Sequence, residues 1–348
     1  MNAMESGQAV WFEGMRQVIH RPEVAPPPAG PMVRVRAAVS AISHGTEMLV
    51  YRGEVPACLD LDLPTLAGSF QYPVKYGYAC VGRILDVGES VESCRPGDQV
   101  FAFHPHQTVF TIGSDLVVRL PDSVSPCRAA FLANLETAVN LMLDTPIGLG
   151  ETVAVFGAGT VGLLSIGLAC RRGAGQVIAV DPIPGRRTLA KRFGADVVLD
   201  PIESPADCIL DLTDRRGADV ILEASGNPAA LQCAVDSLAF GGTIVVGSWY
   251  GTKAVTLELG ARFHRQRGRI VSSQVASIDP ALSRRWSRDR RLQTAAALLP
   301  NLPLESLVTH RFPFADAAEA YRLIDACPEE VLQVVLEYPG SANRQEAV

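Results

Sequence analysis

The chain has 348 residues, of which 48% are hydrophobic and 20% charged, and its formal net charge is −6. This length suits two domains better than one core, and the acidic balance argues against nucleic acid as the main partner. The start of the chain lacks a basic stretch followed by an apolar one, and the longest apolar run, around residues 161–170, is short of the ~20 residues that span a bilayer. The sequence therefore predicts a soluble, cytoplasmic protein that does not enter a membrane.

The cysteines carry no metal or redox signature. All eight stand apart, at positions 58, 80, 94, 127, 170, 208, 233 and 327, so no CxxC pair is present. This spacing excludes a zinc knuckle and a redox motif. Isolated cysteines in a cytosolic protein are usually small buried hydrophobes, and we expect all eight to be buried.

The first part of the chain is predicted to be a β domain. Alternating residues at Val33–Val39 predict a half-buried strand, and Tyr78–Val87 predicts another. The turn at Pro96–Asp98 leads into a further strand at Gln99–Phe103. Many short strands joined by such turns are typical of a barrel-like domain.

From Glu151 onward, strands alternate with helices. The pattern predicts strands at 152–156, 176–181, 197–199, 219–223, 243–247 and 269–272, and helices at 160–171, 185–193 and 228–240. Further helices are predicted at 283–299 and 314–323, and a last strand at 332–336. Such alternation indicates a doubly wound parallel sheet. We therefore expect a dinucleotide-binding domain at 145–282, inserted between two parts of a catalytic domain at 1–144 and 283–348.

A glycine motif marks the start of this second domain. In V-A-V-F-G-A-G-T-V-G, Gly157, Gly159 and Gly162 have the GxGxxG spacing after a strand and at the head of a helix. The first glycine permits the tight turn, the second lets a pyrophosphate approach, and the third lets helix and strand pack closely. We expect the helix start, with Thr160 and Val161, to bind the phosphates through its positive end.

An acidic residue at the end of the next strand predicts which dinucleotide binds. Asp181 follows Gly157 by 24 residues, and a carboxylate there accepts hydrogen bonds from the ribose hydroxyls and repels a 2′-phosphate. Arg186 and Arg187 lie five and six residues further on, where an arginine can accommodate that phosphate. Because Asp181 holds the discriminating position, we expect NAD(H), with Arg186 close to the cofactor.

Further motifs extend over residues 30–340. They are V-G-x-I at 81–84, P-G-D-x-V-F at 96–101, D-x-x-P-x-R at 181–186, A-S-G at 224–226, G-G-T-I-V-V-G at 241–247 and F-P-F-x-D-A-x-x-A-Y at 312–321. Together they resemble the medium-chain dehydrogenase/reductase superfamily, the zinc-type alcohol dehydrogenases and their zinc-free relatives. The resemblance implies an α/β protein, with a GroES-like β-barrel catalytic domain and a Rossmann doubly wound parallel sheet. It also implies a homodimer, and cofactor contacts from Thr137, Ser225, Gly247 and Ser248.

The zinc ligands of that superfamily are missing. Zinc-dependent members have a cysteine before a G-[ST]-[DE] turn, a G-H-E triplet, and a third cysteine or glutamate. In this chain the three regions read I-S-H-G-T-E at 42–47, G-Y-A at 77–79 and A-N-L-E-T at 133–137. His44 and Glu136 are two ligands where a catalytic zinc needs three, and the four-cysteine lobe of a structural zinc is absent from the sequence. We expect no metal.

Without zinc, a side chain must act as general base and general acid for the substrate hydroxyl. His44 is the first candidate, since the ordinary pKa of histidine is near ~6.5, and Tyr78 is the second. Each has an alternative role, because His44 could cap a turn and Tyr78 could fill the vacated metal volume. Glu47 could pair with an arginine such as Arg52. The resemblance places six polar residues in the former metal pocket: Ser43, His44, Thr46, Glu47, Tyr78 and Glu136. His104 and His106 could also reach the cleft, but a solvated loop is expected for them.

Two features bear on the substrate, an alcohol or carbonyl compound. The motif I-S-x-G-T-E, together with an aromatic residue in place of the ligand histidine, is similar to the bacteriochlorophyllide a dehydrogenase branch. Members of that branch oxidise a hydroxyethyl side chain of a bulky tetrapyrrole. This likeness indicates a mechanism rather than a substrate. Residues 262–291 hold nine arginines against two aspartates. They indicate a solvated face or a subunit contact, or else a site for an anionic substrate group.

The leading prediction is a zinc-independent, NAD(H)-dependent oxidoreductase that transfers a hydride between nicotinamide and an alcohol or carbonyl substrate. A reductase of activated C=C bonds, of the quinone or enoyl type, is one alternative. Asp181 counts against it because such enzymes usually prefer NADPH. A non-catalytic dinucleotide-binding protein is the other alternative, and the polar residues at 43–47 count against it.

Overall fold

The computed structural model describes residues 4–61, 63 and 65–340. The chain divides into two compact units, the first comprising residues 1–133 with 296–348 and the second residues 134–295. The second unit starts within the helix Leu132–Asp144 and ends within the helix Arg288–Leu298. Sequence analysis had placed the corresponding boundaries at 145 and 282.

Strands and helices alternate along most of the described chain. The strands are β1 (Glu5–Gly14), β2 (Gln17–Ala25), β3 (Met32–Ile42), β4 (Cys80–Val87), β5 (Gln99–Ala102), β6 (Val109–Gly113), β7 (Val117–Leu120), β8 (Thr152–Phe156), β9 (Gln176–Val180), β10 (Val197–Leu199), β11 (Ala218–Glu223), β12 (Leu238–Val246), β13 (Arg269–Ser272), β14 (Val308–Pro313) and β15 (Gln333–Glu337). The helices are α1 (Thr46–Arg52), α2 (Pro126–Ala129), α3 (Leu132–Asp144), α4 (Thr160–Arg172), α5 (Pro184–Arg192), α6 (Pro205–Leu212), α7 (Pro228–Asp236), α8 (Arg262–Arg265), α9 (Arg288–Leu298) and α10 (Ala317–Ala326). Within the described residues, no helix is both long and apolar enough to cross a membrane.

The first unit is the predicted β domain. Its main sheet has the order β14-β15-β3-β4-β5-β7, with β6 also paired to β3, and β1 and β2 form a separate hairpin. The C-terminal segment joins this sheet because β15 pairs antiparallel with β3, with Val335 opposite Ala41. Phe12, Ile42 and Met48 lie in one buried core with residues of α10. Two distant parts of the chain therefore build one domain.

The second unit is the predicted Rossmann fold. Its six strands are all parallel, in the order β10-β9-β8-β11-β12-β13. Strand β8 is completely buried, and α4 packs against β8 and β9. In a sheet of this order, ligands bind at the carboxyl ends of the strands, where the strand order reverses. That reversal lies between β8 and β11, beside the glycine motif.

Three expectations about local structure are wrong. The helix predicted at 228–240 ends at Asp236, because residues from Leu238 pair with β11 as strand β12. The helix predicted from 283 begins at Arg288, after a short 3-10 turn. The cysteines are not all buried, since only Cys80 and Cys94 are, while Cys58 is exposed. Local composition did not reveal these tertiary environments.

Candidate functional site

The glycine turn lies between β8 and α4, and two of its glycines are required by packing. Gly157 has φ +95°, and a β-carbon there would lie 2.8 Å from the backbone nitrogen of Ser225. A β-carbon at Gly162 would lie 1.9 Å from the carbonyl oxygen of Gly157. Gly159 differs, because a β-carbon there would meet nothing within 4 Å. The second glycine therefore leaves open space where a pyrophosphate would approach.

The same turn presents the start of a helix to that space. Gly159 is the N-cap of α4, and Thr160 and Val161 are its first two residues. Helical hydrogen bonding begins with the Leu163 N–H, which donates to the Gly159 carbonyl at 2.9 Å. The first turn of α4 thus has the arrangement in which helix N-termini bind phosphates.

Asp181 follows the last residue of β9 and is held by the glycine turn itself. Its Oδ2 accepts from the Ala158 N–H at 2.7 Å, and its Oδ1 accepts from the Ile183 N–H at 2.8 Å. Asp181 is buried. A carboxylate offers about four acceptor positions, so capacity for two ribose hydroxyls remains.

The two arginines after Asp181 differ in their contacts. Arg187 donates to the Asp181 carbonyl at 2.7 Å and pairs with Asp200 at 2.9 Å, so its guanidinium is engaged in structural contacts. Burial lowers the pKa of Arg186, while the nearby Asp181 charge raises it. Arg186 is therefore the arginine whose charge lies close to the proposed ribose site.

The other predicted cofactor residues also lie in the second unit. Ser225 follows β11 and is exposed, while Gly247 and Ser248 follow β12 and are half-buried. Because β11 and β12 are parallel neighbours of β8, these residues and the glycine turn share one edge of the sheet. Thr137 lies half-buried on α3. Their role as cofactor contacts stays a prediction.

In the first unit, two of the residues that the resemblance assigns to the former metal pocket form a hydroxyl pair. The Tyr78 hydroxyl donates to Ser43 Oγ at 2.5 Å, and the Ser43 N–H donates to Glu47 Oε1 at 2.9 Å. His44 is half-buried and precedes Gly45, the N-cap of α1, and Thr46 is the first residue of that helix. The fold thus brings Ser43, Glu47 and Tyr78 together, with His44 and Thr46 adjacent in the chain.

Glu47 belongs to a buried polar network that sequence analysis missed. His106 Nε2 lies 2.8 Å from Glu47 Oε2, to which the Tyr321 hydroxyl also donates at 2.5 Å. His106 Nδ1 lies 2.7 Å from Ser40 Oγ. Glu47 and His106 are both fully buried. The pairing of Glu47 with Arg52 is therefore not observed, since the Arg52 guanidinium binds Asp325 at 2.6 Å.

The network extends to the last strand of the sheet. Ser40 Oγ lies 2.9 Å from the hydroxyl of Tyr338, which is buried beyond the end of β15. Burial raises the pKa of both Tyr321 and Tyr338, and the charge of Glu47 adds to this effect. Both phenols therefore stay protonated, and Tyr321 donates its hydroxyl proton to Glu47.

The expectation that His104 and His106 lie in a solvated loop is also wrong, because both side chains are buried. His104 is buried, and its ring stacks on Phe110 with centroids 3.7 Å apart and planes at 9°. Its Nδ1 lies 3.0 Å from the Pro105 carbonyl oxygen. Burial lowers the pKa of His104 to about 3, so the ring is neutral at physiological pH. The aromatic residues Phe103 and Phe110 flanking these histidines were the available signal for burial.

Glu136 lies in the second unit, where an arginine already binds its carboxylate. Arg291 Nη2 lies 2.8 Å from Glu136 Oε1, and Arg291 Nη1 donates to Asn140 Oδ1 at 2.6 Å. Arg291 also binds the carbonyl oxygens of Val275 and Ser277. Burial raises the pKa of Glu136, whereas the Arg291 charge lowers it. This ion pair gives Glu136 a structural role, and its part in catalysis stays a prediction.

Most of the arginine-rich segment faces solvent. Arg291 is buried, and Arg262 is half-buried and donates to the carbonyl oxygens of Leu238 and Arg216. The other seven arginines between 262 and 291 are exposed. The adjacent strand β13 lies at the edge of its sheet with all four residues exposed. The expected homodimer stays a prediction, as does an anionic substrate group.

The residues present do not fit a catalytic zinc. The Tyr78 hydroxyl donates to Ser43, and the Glu136 oxygen Oε1 accepts from Arg291. In the described part of the chain, no group of three or more His, Cys, Asp or Glu side chains lies together as a metal site would require.

Comparison with known proteins places these features in context. Residues 160–289 match the family model described as zinc-binding dehydrogenase. The chain is 33% identical over 325 residues to D-guloside 3-dehydrogenase of Escherichia coli K12. The aligned region covers 87% of this chain and 91% of that protein. The sequence markers and this match extend over both units of the chain.

Two solved structures show the same fold with nicotinamide cofactors bound. One is described as a zinc-binding dehydrogenase from Sinorhizobium meliloti 1021 and holds NADP, with a TM-score of 0.78 and 20% identity over 96% of this chain and 99% of that one. The other is an alcohol dehydrogenase from Escherichia coli CFT073 complexed with NADH, with a TM-score of 0.78 and 20% identity over 95% of this chain and 99% of that one. At this identity they show the fold, and the predicted fold class is confirmed.

Proposed function

We propose that this chain, which belongs to the medium-chain dehydrogenase/reductase superfamily and its zinc-binding dehydrogenase family, is an NAD(H)-dependent alcohol dehydrogenase that works without zinc. Membership supports an oxidoreductase that uses a nicotinamide cofactor. One observation carries the zinc-free part of the proposal. At the positions where zinc-dependent relatives have a cysteine and a histidine ligand, this chain has His44 and Tyr78, and the Tyr78 hydroxyl donates to the neighbouring Ser43 Oγ at 2.5 Å.

Oxidation of an alcohol requires an acceptor for the hydride and a group that takes the hydroxyl proton. Bound NAD⁺ accepts the hydride, so the chain itself must move the proton. The Tyr78 hydroxyl donates to Ser43 Oγ, which leaves the Ser43 proton available to a carbonyl oxygen in the reductive direction. In the oxidative direction the transfers run in reverse: Ser43 Oγ takes the substrate proton as it gives its own proton to the Tyr78 oxygen, and Tyr78 releases its hydroxyl proton in turn. We propose this pair as the relay, with His44 as the group that exchanges the proton with solvent.

The buried network supports the relay by fixing Ser43. The Ser43 N–H donates to Glu47, and Glu47 is held by His106 and Tyr321. Because every one of these partners is at least nine-tenths buried, the backbone at Ser43 has little freedom to move. A fixed Ser43 keeps the hydroxyl pair in one geometry, which general acid–base catalysis needs.

The preference for NAD(H) rests on Asp181. Its carboxylate is fixed by two backbone N–H groups, and a 2′-phosphate beside it would meet like charge. Arg187 is engaged with Asp200 and offers that phosphate nothing. We expect NADH to bind at least tenfold more tightly than NADPH, which corresponds to about 1.4 kcal/mol. Fluorescence titration of the purified protein with each cofactor tests this, and equal affinities would show that Arg186 outweighs the carboxylate.

The substrate class is proposed from the 33% identical relative reported above. D-guloside 3-dehydrogenase is named for oxidation at a ring carbon of a glycoside. We propose that this chain oxidises a secondary hydroxyl of a sugar, glycoside or polyol. A panel of such compounds with NAD⁺, followed by NADH absorbance, tests the class. The C=C reductase and the non-catalytic protein gain no support from the residues above, and the likeness to the tetrapyrrole dehydrogenases stays a prediction.

A further inference from the structure

A buried glutamate holds together two loops at the carboxyl edge of the parallel sheet. Glu223 is the last residue of β11 and is completely buried. Its Oε1 accepts from the Ser225 N–H at 2.7 Å, from the Ser225 hydroxyl at 2.5 Å and from the Gly226 N–H at 3.0 Å. Its carbonyl oxygen accepts from the Gly247 N–H at 2.9 Å, in the loop after β12. One residue therefore fixes both loops.

Glu223 is a buried carboxylate whose hydrogen bonds order the loop at Ser225 and Gly226. A buried carboxylate is costly unless it is hydrogen-bonded, and the three donors to Oε1 supply such bonds. Burial raises the pKa of Tyr250, and the charge of Glu223 and a side-chain hydrogen bond to it raise that pKa further, so this phenol stays protonated. The loop that Glu223 orders lies at the edge of the sheet where ligands bind, so Glu223 is placed to position a bound ligand.

The strand order places Glu223 on one side of the glycine turn and Asp181 on the other. Glu223 pairs in register with Phe156, the residue before Gly157. A β-carbon at Gly157 would lie 2.8 Å from Ser225, so the loop that Glu223 fixes packs directly on the turn. Asp181 follows β9, on the opposite side of β8. A dinucleotide with its pyrophosphate at the turn extends to both sides, with its adenosine half toward Asp181.

We infer that Glu223 is a positioning residue for the nicotinamide half of the cofactor and acts through Ser225. The Ser225 hydroxyl proton is committed to Glu223, and Ser225 Oγ also accepts from the Asn227 N–H at 3.1 Å. The exposed Ser225 therefore presents only acceptor capacity to a ligand. Ser225 Oγ is therefore suited to accept a hydrogen bond from the nicotinamide half of the cofactor, either from a ribose hydroxyl or from the carboxamide N–H. The inference rests on the proposed function, because it assumes a nicotinamide cofactor at the glycine turn.

The test compares two ligands that share the adenosine half, NADH and AMP. Glu223→Asp shortens the side chain by one methylene and withdraws the carboxylate from Ser225 and Gly226. We expect the Kd for NADH to rise at least tenfold in this variant, while the Kd for AMP changes less than twofold. Glu223→Gln keeps the length and an acceptor oxygen, and should recover NADH affinity to within about threefold of wild type. Isothermal titration calorimetry gives both constants without an alcohol substrate.

Other variants separate the possible outcomes. Asp181→Ala should weaken NADH and AMP alike, which shows that AMP reports on the adenosine half. If Glu223→Asp does not fold, Ser225→Ala should raise the Kd for NADH about fivefold and leave AMP unchanged. The inference is wrong if Glu223→Asp or Ser225→Ala binds NADH as wild type does, or if either loses AMP and NADH equally. A wild-type protein that binds no NADH would instead refute the proposed function.

Discussion

The neutral, buried His104 makes the stability of the protein depend on pH. Its ring stacks on Phe110, and burial lowers its pKa to about 3, with smaller contributions from the charges of Lys75 and His106. In the unfolded chain the pKa of histidine is about 6.5. His104→Phe keeps an aromatic ring against Phe110 and removes the titrating group. The variant therefore isolates the contribution of one histidine to the pH dependence.

The direction in which stability changes with pH follows from the order of the folded and unfolded pKa values of His104. Because the folded pKa of His104 lies below the unfolded one, the unfolded state binds more protons between pH 6.5 and about 3. The stability contributed by the neutral ring is fully present above pH 6.5 and is lost as the pH falls. One pKa unit corresponds to about 1.4 kcal/mol. Between pH 7 and pH 5, protonation of the unfolded histidine alone lowers the free energy of unfolding by about 2 kcal/mol.

Urea denaturation at pH 7, 6 and 5, followed by circular dichroism, measures this difference. Other groups also titrate in this range, so the comparison is between the pH slopes of the wild type and of His104→Phe. The wild type should lose about 2 kcal/mol more than the variant between pH 7 and pH 5. Parallel slopes would show that the pKa of His104 in the native protein is not lowered from its unfolded value, and would refute its assignment as a buried neutral ring.

Three further predictions concern catalysis and a buried ion pair. Tyr78→Phe should lower kcat by roughly 10²–10⁴-fold with NADH affinity unchanged, because it removes only the hydroxyl of the proposed relay. His44→Ala should also lower kcat with NADH affinity unchanged, because it removes the group that exchanges the proton with solvent, and full activity in both variants would refute the relay. Arg291→Met should lower the free energy of unfolding by about 3–5 kcal/mol, because it leaves Glu136 buried without its cation. Adding Glu136→Met should recover part of this loss, as chemical denaturation can show.

The Rossmann domain could be predicted closely from the sequence because its signals are local. The glycine spacing at 157–162, the strand before it and the acid after the next strand all lie within about 30 residues. Each of these features has a direct geometric reason, and the structure places them as expected. The predicted helix at 228–240 failed where a sheet partner decided the conformation, since pairing with β11 turned Leu238 into a strand residue.

The buried network in the first unit could not be predicted in the same way. Glu47 meets His106 across 59 residues and Tyr321 across 274 residues. No periodicity or spacing reports such contacts, because they depend on the packing of α10 against α1. The same holds for the ion pair of Glu136 with Arg291, which are 155 residues apart. Sequence analysis therefore identified polar residues of the candidate site but not their partners.

The most direct test of the central claim is the zinc content of the active enzyme. Protein washed with a chelator is assayed with NAD⁺ and an oxidisable sugar or polyol, and the same sample is analysed for metals. Because the sequence leaves only two of the three ligands that a catalytic zinc needs, His44 and Glu136, we predict full activity at well under one zinc per chain. Activity that is lost with the chelator and restored by stoichiometric zinc would contradict the account.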